Sequence, residues 1–139
     1  MLSSKCKEWI QSASDDFVVI DSIYANAQVT RRRPHRQVLY HSQQAAEKML
    51  KAYLVHHGLF PWGHDLNALR TDCAKFNSGF NSKRIIDHCA FLTAFNEARY
   101  PDFSVVIDAV TASRSLNSAK RISIFVVERL GAINEVLWF

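Results

Sequence analysis

The sequence predicts an all-α protein folded as a single domain over residues 1–139. Apolar side chains recur at three- and four-residue intervals through most of the chain, which places them on one face of a helix. Only four glycines and three prolines occur, and they cluster between long stretches that read as helix without interruption. Disordered and β-rich folds are disfavoured by that distribution. A chain of this length buries one core without needing disulfides or a structural metal.

The first helix is expected from Ser4 to about Ala27, with Trp9, Ala13, Phe17, Ile20 and Tyr24 inward and Asp15, Asp16 and Asp21 mostly on the other face. Thr30 to Arg36, TRRRPHR, carries a proline and four arginines and reads as a connecting loop. A second helix from about Gln37 to His57 divides cleanly: Ala46, Met49, Leu50 and Tyr53 on the apolar side, and Gln43, Gln44, Glu47, Lys48 and Lys51 on the opposite arc. Gly58 and the LFPWG loop stop it. Asp65 is placed to cap a short third helix carrying Leu66, Leu69 and Cys73 inward. After a break at Asn77 to Asn81, Ser82 is expected to cap a fourth helix with Ile85, Cys89, Leu92 and Phe95 buried. The last helix is expected to begin near Ser104, its apolar positions Val106, Val110, Leu116, Ile122 and Val126 drifting around the axis. The apolar tail Val136 to Phe139 is suited to covering the bundle or a second subunit.

A formal charge of +4 and a pI near 9.1 lean towards a polyanionic partner. Cys6, Cys73 and Cys89 are an odd number with no close pair, which fits neither a disulfide framework nor a zinc site and points to a reducing cytoplasm. The first residues hold no apolar leader segment, and no run approaches bilayer-spanning length, so neither secretion nor membrane insertion is expected. His56 and His57 are adjacent and project about 100° apart on a helix, a poor chelating pair. No metal and no cofactor are expected.

Three motifs in order, YHSQQAAEKMLKAYL at 40–54, GHDLNAL at 63–69 and ARYPD at 98–102, closely resemble the HEPN family, and the likeness extends to Trp9, Ala13 and Asp16. The resemblance implies an up-and-down bundle of four to five helices, frequently a homodimer, and commonly a minimal nucleotidyltransferase as partner in a toxin–antitoxin or stress-response module. It also implies a nucleotide- or RNA-binding groove in which Gln43, Gln44, Glu47, Lys48 and Lys51 stand with His64, Asp65, Arg99 and Tyr100.

Many members of that family are metal-independent ribonucleases with an arginine followed four to six residues later by a histidine, late in the bundle. Here Arg99 is followed by Tyr100, Pro101 and Asp102, and no histidine occurs downstream, so no catalytic residue is assigned. The formal spacing occurs at Arg36 and His41, but five helical residues set the two about 140° apart. Arg84 and His88 fall one residue short of it. The competing function is a ribonuclease with a displaced site around Arg99, His41 and His64, since cleavage without a metal needs a base, an acid and a cation on the phosphate. Against that, His64 is expected simply to hydrogen-bond in the turn before the third helix, and His41 to lie on a solvated surface. A third reading is a structural subunit whose polar groove its own twin fills. Arg31, Arg32, Arg33 and Arg36 suit a phosphate backbone, although a solvated loop is the favoured reading. Phe60 and Trp62 are expected to tuck against the bundle rather than to stack on bases.

Overall fold

The computed structural model describes residues 1–26, 34–95 and 106–132. Within them the chain forms α1 (Ser4–Ala25), α2 (His35–His56), α3 (Leu66–Ala74), a short 3₁₀ turn (Ser78–Asn81), α4 (Lys83–Thr93) and α5 (Ala109–Arg129), with no strand. The expected all-α bundle of four to five helices is therefore observed, with five among the described residues. Residues 9, 12 and 16 of α1 meet residues 51, 48 and 41 of α2 in that reversed order, so these helices run antiparallel. Contacts of Phe91 with Arg114 and of His88 with Ser118 show the same for α4 and α5.

Helix ends follow local chemistry. Ser3 caps α1 by accepting from the Cys6 amide, and Asp65 caps α3 by accepting from the amides of Asn67 and Ala68 at 2.9 and 3.1 Å. α2 closes on Gly58, whose φ of +84° lets its amide reach the Val55 carbonyl while Leu59 N–H reaches Leu54 O. Gly131, at φ +67°, ends α5 in the same way through the carbonyls of Glu128 and Val127.

The core is one cluster drawn from every helix, centred on Met49, Leu50 and Leu54 of α2, with Ile20, Leu66, Ile85, Leu92, Ile122 and Val126 around them. Phe80, brought in by the 3₁₀ turn and fully buried, meets Tyr53 and Phe125 edge-on at ring-centroid distances of 4.7 and 5.0 Å. All three cysteines are free and buried within it. Burial pushes the Cys6 thiol up to about 11 and the Cys89 thiol up to about 12, so neither is a nucleophile at neutral pH.

Several boundaries differ from the sequence expectation. α2 begins at His35, so His35 and Arg36 are helical rather than part of a loop. Pro34 starts the helix instead of interrupting the loop, because its fixed φ suits a first turn and its carbonyl accepts from the amides of Gln37 and Val38. α5 starts at Ala109, where Asp108 accepts from Thr111 N–H at 2.7 Å. Val106 precedes the helix and Val110 lies in its first turn, and both are exposed. Ser82 occupies the cap position of α4, but its hydroxyl makes no capping bond. Residues 27–33, 99, 100, 104 and 133–139 lie outside the described residues, and with them the expectations placed on Arg31 to Arg33, Arg99, Tyr100, Ser104 and the apolar tail.

Replacing Phe80 with alanine removes a ring wedged between two others and is expected to cost about 3–5 kcal/mol, read as a lowered urea midpoint at unchanged slope. A loss below about 1 kcal/mol would show that the ring does not hold the 3₁₀ turn against α2 and α5.

Candidate functional site

α2 is buried along most of its circumference from Val38 to Leu54, including Gln43, Glu47 and Lys51 on its polar arc. The polar arc opposite the apolar side is therefore itself largely covered. A wheel shows which residues share an arc but not what packs on it, and here α1 lies along it. Asp16 of α1, expected on the outward side, is only 6% exposed and bridges two α2 side chains, His41 and Lys48. Its Oδ1 lies 2.8 Å from His41 Nδ1, and its Oδ2 accepts from Lys48 Nζ at 2.8 Å. Lys48 Nζ also reaches the Ser12 carbonyl at 3.4 Å.

A second carboxylate repeats the pattern nearer the other end of α2. Glu47 Oε2 accepts from Lys51 Nζ at 3.2 Å, and Glu47 Oε1 lies 2.9 Å from His64 Nδ1. The Lys51 ammonium also sits 5.4 Å from the centre of the Trp9 ring. Carboxylates only accept, so each imidazole carries a proton on Nδ1, and in the neutral ring this leaves Nε2 as an acceptor. The His64 side chain is 69% exposed, so that acceptor sits on a solvent-facing ring.

Both histidine expectations are thereby corrected. His64 bonds across to α2, not within its own turn, and His41 is held by α1, not bare on a surface. They serve different carboxylates, and His41 and Glu47 lie six residues, about 9 Å, apart along α2, so the two rings do not share one site. Gln43 points elsewhere, donating to the Leu92 carbonyl of α4 at 2.8 Å, while Gln44 is half-buried. Asp65 is occupied as the α3 cap. Lys48 and Lys51 are not spare surface cations, so reversing their charge would perturb folding. Phe60 and Trp62 do not tuck in: they are 86% and 89% exposed. His57 stacks on Phe76 with centroids 4.4 Å apart instead of pairing with His56 as a chelate. Among the described residues no three His, Cys, Asp or Glu side chains gather as a metal site requires.

A grouping that sequence spacing missed lies between α4 and α5. His88 Nδ1 is 3.0 Å from Ser118 Oγ. Burial first, then the charges of Arg121 and Arg84, and lastly Arg114, push the His88 pKa down against the opposing pull of Asp87. Only Arg84 precedes it in the right register on α4, whereas the other two arginines come from α5, across an interface that spacing along one helix cannot reveal.

A bundle of five helices with a carboxylate-bridged polar seam along its central helix is thus defined. A family model, the HEPN domain, matches residues 6–130, and the chain belongs to that family. No curated protein and no solved structure matches it significantly.

Asp16→Ala is expected to lower stability by about 2 kcal/mol, less than a fully buried pair would lose because Lys48 and His41 keep part of their solvent. A double-mutant cycle with Lys48→Met checks the coupling, and additive losses would sever the two. The lowered His88 pKa contributes stability fully above the unfolded value of about 6.5, which is lost as pH falls through the folded value. His57 is shifted the same way by burial and by His56. Melting temperature should accordingly fall from about pH 7.5 to about pH 5.5, and less steeply in His88→Gln. Identical slopes in the two proteins would refute the His88 contribution.

Proposed function

We propose that this HEPN protein is a binding module for a nucleotide or RNA that works with a minimal nucleotidyltransferase in a toxin–antitoxin or stress-response module, as a homodimer. Family membership supports the class of ligand and partner. The observation that carries the reading is the Glu47 carboxylate holding Lys51 and His64 together at the edge of the bundle. Groups fixed before a ligand arrives lose little freedom on binding it.

In this reading Glu47 positions and does not itself meet the ligand, since both its oxygens are engaged. His64 offers Nε2 to an exocyclic amino group of a base, and Gln44 offers an amide that both donates and accepts. Lys48 and Lys51 supply positive charge largely compensated by Asp16 and Glu47, so this seam reads a base more than it grips phosphate. Gln43 holds α4 in place and Asp65 orients the turn bearing His64. Arg99 and Tyr100 belong to the same proposed ligand site.

Fluorescence polarisation with a labelled single-stranded RNA and with a labelled adenine nucleotide, both in excess chelator, tests this directly. At least one probe should bind saturably, and His64→Ala should weaken it between about threefold and tenfold, the worth of one hydrogen bond. Folded protein that binds neither probe would overturn the proposal.

A further inference from the structure

The cations of the polar seam are matched by carboxylates, but those between α4 and α5 are not. Arg114 and Arg121 stand about one turn to either side of Ser118 on α5, and Arg84 stands one turn before His88 on α4. The hydrogen bond between His88 and Ser118 pins these two stripes together, so the three exposed guanidiniums surround one point. Among the described residues none of the three is ion-paired. The acidic neighbour on the face, Asp87, is taken by Lys83 at 2.7 Å.

Order accompanies the charge. The Arg114 guanidinium lies 4.0 Å from the centre of the Phe91 ring, which fixes its plane without neutralising it. Arg114 also lines a pocket of about 510 Å³ together with Tyr24, His35, Ser113 and Asn117. The strip of positive charge therefore opens at one end onto a cavity with an aromatic ring, an imidazole and an amide in its wall.

We propose that the α4–α5 face formed by Arg84, Arg114 and Arg121 around the His88–Ser118 pair binds the phosphate backbone of an RNA strand. This rests on the nucleic-acid reading of the function and adds a second surface, separate from the seam on α2. Guanidinium forks match phosphate oxygens in pairs, and three of them over about two helical turns match a backbone rather than a single carboxylate. With Nδ1 accepting from the Ser118 hydroxyl, a neutral His88 keeps Nε2–H as a donor to a phosphate oxygen.

The test compares wild type, Arg114→Gln/Arg121→Gln and a control with the same loss of charge, Lys5→Gln/Lys7→Gln, using a labelled single-stranded RNA over a salt series. All four positions are exposed, so both variants should stay folded, the arginine variant losing only the Arg114–Phe91 contact and the charge acting on His88, which thermal melting checks. The arginine variant should bind more than about tenfold more weakly, with a salt slope shallower by about 1.4, while the lysine control stays near wild type. If wild type binds RNA and the two variants weaken it equally, or not at all, the α4–α5 assignment is wrong and the function stands. Wild type that binds only the mononucleotide removes this face as an RNA site and leaves the seam. Protein that binds neither overturns both.

Discussion

α2 is packed on by α1, α3, α4 and α5, and that enclosure sets the rest of the structure. A helix surrounded in this way leaves its charged side chains little water, so those on its polar arc are paired within the protein, although the buried Ser42 hydroxyl has no hydrogen-bond partner among the described residues. Asp16 and Glu47 meet the demand, each with two oxygens and each serving one lysine and one histidine. Asp16 comes from α1 and reaches inward to α2, whereas Glu47 belongs to α2 and reaches outward to the turn before α3. The first therefore locks a helix pair, and the second locks a loop.

The two locks have different consequences for function. His41 and Lys48 are mostly covered, so the Asp16 bridge acts chiefly on the register of α1 against α2. His64 is mostly exposed, so the Glu47 bridge presents a ring of fixed tautomer to whatever approaches. Local dielectric strengthens such bridges and at the same time makes an unpaired member costly, which ties the integrity of the surface to that of the core.

Charge is distributed unevenly over the molecule. Along the seam, two carboxylates offset two ammonium groups, and the local field is small. Between α4 and α5, arginines face one another around a histidine hydrogen-bonded to a serine, with the nearby carboxylate engaged by a lysine. A base prefers the first environment and a phosphate the second. The rings of Phe60 and Trp62, in the loop before His64, are exposed.

Periodicity and local side-chain chemistry determined that there are helices here, most of the buried stripes of α1, α3 and α4, and the Asp65 cap, because these follow from repeats and contacts within a few residues, whereas Phe95 lies beyond α4 and is half-buried. The three quoted motifs were enough to place the chain in its family. Local signals were weaker where a residue suits two roles: Pro34 ends a loop as readily as it starts a helix, and α5, expected to begin near Ser104, begins at Ala109 behind the Asp108 cap. Tertiary structure alone decided what covers the polar arc of α2, that Asp16 turns inward, that His64 reaches Glu47, and that arginines of α4 and α5 converge on His88. Each of these depends on which helix packs on which face, and a pattern read along one helix does not contain the position of its neighbour.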